Sequence, residues 1–344
     1  MDKSISMKFL LSVINPGSPD HKELAKTDNL AASIKLARIN GLYYLFLCRL
    51  KELDIDIPSS EEKKWSQELD NLAKYKKTIE LIDRLSTKYG IDYILIKDCN
   101  TVPHIPRDID TFVRSEDRTR FINALEDIGM RCTQSGIAET SLTGEYLKTD
   151  IYTDICYMGV DFLDKSILWN SRVENRMFGM RYIGLNNESN FILLLIHSLF
   201  GHRSMSLLDF LHLTNIYDKT DINFCRDYAI SMGWGRTFDT ALTKFNEVRR
   251  DLNESKFVYF PYLFNKDLLL DCLSGVEGFD NSLINKFFVN VTFVQDRLIY
   301  ELKDSKINNV IKSSGPLRNV INSVTASIKS RRGDRKSLNT QKER

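Results

Sequence analysis

Over the first ninety positions apolar residues recur at steps of three and four, the period of helices with one buried face. Leu30 to Leu53 reads as one helix. It stops before Asp54-Ile55-Asp56-Ile57-Pro58, because proline lacks an amide donor and cannot continue regular helix. Ser59 and Glu62 have the spacing of a capping box. Trp65, Leu69, Leu72, Tyr75, Ile79, Ile82 and Tyr89 then make one apolar stripe, and Gly90 stands where helices end in a left-handed residue. The spacing predicts a helix over Ser59–Tyr89.

The period changes at Gly90. Ile91-Asp92-Tyr93-Ile94-Leu95-Ile96 is a short β-branched run, read as a buried strand. Lys97 to Pro106 is an irregular connection with two prolines. Asp108-Ile109-Asp110-Thr111-Phe112-Val113 alternates polar and apolar, as a strand with one buried face does. Ser115 stands at an N-cap position, and Glu116 to Ile128 reads as a helix closed by Gly129. Met130 to Cys132 reads as a short strand. Leu147 to Tyr157 alternates again, with Thr149, Ile151, Thr153 and Ile155 on one side and Asp150, Tyr152, Asp154 and Cys156 on the other.

Beyond Asp161 the pattern is mainly helical. Arg176 to Gly184 reads as a hairpin or short strand, Glu188–Phe200 as a buried helix, and further helices are expected at 206–218, 223–232, 236–252 and 281–303. The organisation this implies is an N-terminal helical region (1–90), a small α+β unit (91–160), a larger helical unit (161–326) and a basic tail (327–344).

Composition adds little until it is divided along the chain. The 344 residues are 42% hydrophobic and 27% charged, with a formal net charge of +2, so no global field draws the chain to nucleic acid or membrane. From Lys329 to Arg344, however, seven residues are Lys or Arg against two acids. Such a tail suits a weak, salt-dependent contact with RNA or an acidic partner, or plain solvation. Six scattered cysteines lack zinc-ligand spacing, which points to a reducing compartment. The apolar run Phe9–Ile14 is too short for a secretory leader, and no later run approaches the ~20 residues of a membrane span. The expected location is cytoplasmic.

The chemistry concentrates at Asp108 and Asp110. Two apart on a strand, they project to one face and can share a hard divalent cation of the kind that neutralises a triphosphate. Asp150 and Asp154, on the polar side of the 147–157 strand, are the candidates for a third carboxylate.

These features in this order resemble the uncharacterised nucleotidyltransferases of the polymerase-beta-like fold, in an archaeal-type branch. The resemblance rests on Ile96-Lys97, the loop Pro103 to Pro106, and Asp108-Ile109-Asp110. It continues through Thr149-Asp150-Ile151-Tyr152-Thr153, Phe162-Leu163-Asp164, Leu168-Trp169, Glu188 to His197 and Leu207-Leu208-Asp209. It implies an α+β fold, with a small mixed β-sheet nucleotidyltransferase core between N-terminal helices and a larger C-terminal helical region. It also implies transfer of a nucleoside monophosphate from a nucleoside triphosphate such as ATP to an unknown acceptor, with Mg²⁺ or Mn²⁺. By the same resemblance Asp108, Asp110 and Asp150 would be the catalytic and metal-binding residues, with Asp154 in reserve, and Lys97 and Arg107 would meet the triphosphate. The chain departs from the general pattern at Lys97-Asp98, where most members have Gly-Gly or Gly-Ser. That departure motivates an alternative, a catalytically degenerate nucleotide-binding or interaction protein on the same fold.

Other readings are weaker. The glycosyltransferase and aspartate-phosphatase DxD motifs end an apolar strand, whereas His104-Ile105-Pro106-Arg107 precedes Asp108, and the phosphatase pattern wants Thr where Phe112 stands. His197, His202 and His212 suggest a metal site, but His197 and His202 are five apart, off a common helical face, and all three read as core or capping residues.

Overall fold

The computed structural model describes residues 3–14, 30–97, 101–136, 138–157, 160–202 and 205–253. The expected helix at 281–303, the basic tail and Asp98 lie outside the described residues.

Helix α1 (Lys3–Ile14), α2 (Leu30–Ile39) and α3 (Tyr43–Glu52) bury Phe9, Leu10, Ile34, Phe46 and Leu47 in one core with the C-terminal helices. The single helix expected over Leu30–Leu53 is therefore two. The break has a tertiary cause. Gly41 adopts φ +73°, and a Cβ there would stand 2.8 Å from Leu208 Cδ2. Beside it, Asn40 Oδ1 accepts from the Leu207 amide at 3.1 Å. The chain turns so that its backbone can meet the start of a C-terminal helix.

The capping box at Ser59 does not form. Ser59–Glu61 is a 3₁₀ turn with no side-chain cap, and the long helix α4 is Glu62–Tyr89. Glu61 is turned inward instead, accepting from Arg38 at 2.6 Å, Tyr43 at 2.9 Å and Lys64 at 2.9 Å. A buried carboxylate with three donors outweighs one capping bond. The far end matches expectation: Gly90 closes α4 at φ 61°.

The sheet comprises β1 (Tyr93–Leu95), β2 (Asp108–Val113), β3 (Arg131–Ser135), β4 (Glu139–Thr143) and β5 (Lys148–Tyr152), in the order β1-β2-β5-β4-β3. β2 and β5 are parallel and the other pairs antiparallel, so the sheet is mixed. Helix α5 (Arg118–Glu126) links β2 to β3. Its N-cap is Asp117, not Ser115, and makes no side-chain cap bond. The alternation from Leu147 ends at Tyr152; Cys156–Tyr157 is a separate short strand, β6, paired with β7 (Val160–Asp161).

Each sheet face has its own core. Leu95, Ile109, Val113, Leu142 and Ile151 pack with Tyr75, Ile79 and Ile82 of α4 and Phe121 of α5. On the opposite face Ile94, Ile96 and Phe112 join the core of the C-terminal helices. Those follow α6 (Lys165–Asn170) and the hairpin β8 (Arg172–Met177)–β9 (Met180–Leu185), which turns on Phe178 and Gly179, both at positive φ. They are α7 (Asn187–Ile196), α8 (Leu207–Tyr217), α9 (Ile222–Ser231) and α10 (Gly235–Asn253), with a π-helical turn, His197–His202, after α7. Ser206 and Asp209 form a true capping box at the start of α8. The fold is thus α+β, with the sheet between N-terminal helices and a larger helical region.

Candidate active site

The period of two places Asp108, Asp110 and Phe112 on one face of β2, and the parallel register sets Lys148, Asp150 and Tyr152 directly across on β5. This face runs from core to solvent. Phe112 is fully buried. The Asp110 side chain is 16% exposed and that of Asp108 is 44% exposed. Acids occupy this strand because its first residues leave the core at the edge of a cleft, where carboxylates keep contact with water.

The carboxylates are held by two ammonium groups. Lys97 Nζ lies 3.0 Å from Asp110 Oδ1 and 2.9 Å from the Tyr152 hydroxyl, over the Tyr152 ring at 4.2 Å. Lys148 Nζ lies 2.6 Å from Asp150 Oδ2 and 3.8 Å from Asp108 Oδ2. Asp150 Oδ1 accepts from Ser141 Oγ of β4 at 2.5 Å, so both Asp150 oxygens are engaged, and its side chain is only 4% exposed. Asp154, the reserve third acid, is turned away from the group: it pairs with Lys165 at 2.6 Å and accepts from the Ile155 amide.

The electrostatics follow from this crowding. Burial raises the Asp110 carboxyl to about 6; Asp108 and Asp150 add to the rise, and Lys97 opposes it. Burial, together with Asp110, Glu139 and Asp150, raises the Tyr152 phenol, which therefore stays protonated. Burial pulls the Lys148 ammonium down, but Asp150, Asp108 and Glu139 outweigh it, and the net shift is upward.

Lys97 itself sits at φ 61°, a left-handed conformation that suits glycine. The position at which the sequence departs from the small residues of the resembling family is thus one where the backbone favours a small residue. Arg107 is exposed on the loop before β2, and its charge acts on Glu68 of α4.

A cavity of about 180 Å³ opens beside Asp108, Asp110 and Lys97, bounded on the helical side by His197, Asp209 and His212. His104 and His212 meet edge to face at 5.0 Å. Thr101 Oγ1 is 2.9 Å from His212 Nδ1, while His212 Nε2 is buried with no hydrogen-bond partner. Burial, then His104, holds the His212 imidazole well below its ordinary value, so it is neutral at pH 7. A larger cavity of about 460 Å³ beside Arg49, Thr214 and Arg249 contains none of the acids.

Two carboxylates on one strand face are a donor pair that a hard divalent cation takes, in competition with the ammonium that faces each. Among the described residues no group of three His, Cys, Asp or Glu side chains is arranged to hold a metal ion. Asp108 and Asp110 are the side chains that would hold such an ion, and Asp150 lies across from Asp110 with both oxygens hydrogen-bonded.

No protein-family model matches the sequence, and no curated protein matches it. Among solved structures the chain is similar to the lincomycin-bound lincosamide antibiotic adenylyltransferase LnuA, at 20% identity and a TM-score of 0.31, covering 41% of this chain and 95% of that one. It is similar to the antibiotic-resistance factor ANT(2'')-Ia at 11% identity and TM-score 0.32, covering 52% and 97%. It is also similar to an antigenic nucleotidyltransferase-like protein from Paracoccidioides brasiliensis at 12% identity and TM-score 0.35, covering 53% and 92%. These are distant likenesses.

Sequence reading did not single out Lys148, Ser141, Tyr152 or His104 as site residues, and it weighed His212 only as a metal ligand before favouring a core role. Lys148 could have been found, since it alternates in phase with Asp150. Ser141 could not, because β4 is a Thr/Ser-rich segment without an apolar run.

Proposed function

We propose that this chain transfers a nucleoside monophosphate from a nucleoside triphosphate to an acceptor, with Mg²⁺ or Mn²⁺. The reading is carried by Asp108 and Asp110, which share one strand face, sit against Lys97 and Lys148, and border a cavity. Asp108 and Asp110 would hold the ion, which when bound supplies charge neutralisation at the triphosphate. Lys97 is the point charge for the phosphates, and Arg107, exposed on the adjoining loop, is the second. Ile96 and Leu194 give the cavity an apolar side. Neutral His212 offers a hydrogen-bonding edge to a ligand in that cavity. The acceptor is a molecule whose hydroxyl or phosphate enters there.

The second reading, nucleotide binding without transfer, draws on Lys97 at φ 61° in place of a glycine. The two part in one assay. The protein is incubated with each α-³²P-labelled nucleoside triphosphate, Mg²⁺ and fractionated cell extract, and label transfer and pyrophosphate release are followed beside calorimetric binding. Transfer that Asp110→Asn loses supports the first reading. Binding with no transfer to any fraction supports the second.

A cytoplasmic setting belongs to the same proposal. In the described residues no helix is long and apolar enough to cross a membrane, and Cys48, Cys132 and Cys225 are free. A weak RNA or acidic-partner contact through 329–344 rests on the sequence alone.

A further inference from the structure

We infer that Lys148 serves as a built-in cation for Asp150, so that the site takes one divalent ion, on Asp108 and Asp110, and Asp150 is not a ligand. The inference rests on the metal-dependent reading above and refines which residues hold the ion.

Three observations carry it. First, both oxygens of Asp150 are already engaged: Ser141 donates to Oδ1 at 2.5 Å and Lys148 to Oδ2 at 2.6 Å. Second, Lys148 is placed between two acids, 2.6 Å from Asp150 and 3.8 Å from Asp108. Its ammonium, a single positive charge, occupies the position from which a second divalent ion would bridge them. Third, the cavity reaches Asp108 and Asp110 but not Asp150, which lies under Lys148 with 4% of its side chain exposed. An ion reaching Asp150 would have to displace the Lys148 ammonium, a like charge held by a charge-assisted hydrogen bond, from a buried carboxylate.

Lys97 is a different case. It also sits on a carboxylate, Asp110, but Asp110 borders the cavity and its second oxygen is not taken by Lys97. Asp110 therefore has a face open to a ligand, and Asp150 has none. Lys148 is a positioning residue: it fixes Asp150 and shapes the field at Asp108.

The test counts ions on the intact chain. Mn²⁺ is titrated into wild type, Asp150→Asn, Asp108→Asn and Lys148→Met, with and without a non-hydrolysable ATP analogue, and free Mn²⁺ is read by electron paramagnetic resonance. The expected result is one site-bound Mn²⁺ per wild-type chain, retained in Asp150→Asn and weakened at least about tenfold in Asp108→Asn. Mn²⁺ bound by the analogue alone is subtracted with a protein-free titration, and the ion on Asp108 and Asp110 is the one that meets the triphosphate, so the wild-type count stays at one when nucleotide is present. Lys148→Met, which frees Asp150, is expected to gain one ion. Two site-bound ions in wild type, one of them lost in Asp150→Asn, overturn the inference and leave the metal-dependent reading standing. No bound Mn²⁺ in wild type under either condition overturns that reading itself. The wild-type count decides the matter even if a variant fails to fold.

Discussion

Asp110 lies directly across from Asp150 in the parallel pairing of β2 with β5, yet the two carboxylates are held differently. Asp110 meets Lys97 and Tyr152 but borders the cavity; Asp150 meets Ser141 and Lys148 and does not. Asp110→Asn keeps the shape and removes the charge. Nucleotide transfer should fall by at least about a hundredfold, the scale of losing one group that stabilises transition-state charge. The far-ultraviolet circular dichroism should be unchanged. A variant with wild-type transfer would remove Asp110 from the chemistry.

The same carboxyl sets a stability trend in metal-free protein. Its folded value of about 6 lies above the ordinary ~4 of an unfolded chain. Between those values the folded state binds more protons, so stability falls as pH rises from 4 to 6. The contribution is about 3 kcal/mol. Denaturant unfolding in a chelator, at pH 4 and pH 6.5, should show wild type losing about 2 kcal/mol of this relative to Asp110→Asn. Parallel pH trends in the two proteins would contradict it.

Gly41→Ala strains the joint between the N-terminal helices and α8. The backbone is at φ +73°, and the new methyl would meet Leu208 Cδ2 at 2.8 Å. The cost should be about 2 kcal/mol, read from denaturant midpoints. Leu208 also borders the small cavity, so ligand binding should weaken with stability.

Glu61→Ala removes the shared acceptor of Arg38, Tyr43 and Lys64. The Tyr43 hydroxyl is left buried without it, at about 1–3 kcal/mol. Burial and Glu61 hold the Tyr43 phenol at about 12, so the variant should also titrate Tyr43 lower, which ultraviolet difference spectra would record.

The sequence was most legible where one period dominates. α4, β2, β5 and α7 to α10 follow their apolar spacing, and the face shared by Asp108 and Asp110 follows from it. The breaks were not legible, because each has a tertiary cause: Gly41 turns against Leu208, and Glu61 is recruited by Arg38 and Tyr43 in place of a cap. At the site, the strand that bears Asp150 was readable, but the Ser141 and Lys148 contacts that close it depend on the register of β4 with β5, which no local pattern encodes.

The central claim is that Asp108 and Asp110 together grip a divalent ion at the triphosphate. Crystals soaked with Mn²⁺ and a non-hydrolysable nucleoside triphosphate, measured for anomalous scattering, test it most directly. The account predicts a peak at about 2.1 Å from an oxygen of each carboxylate, with phosphate oxygens completing the shell. Nucleotide bound with no manganese at these two side chains, or manganese held elsewhere on the chain, would contradict it.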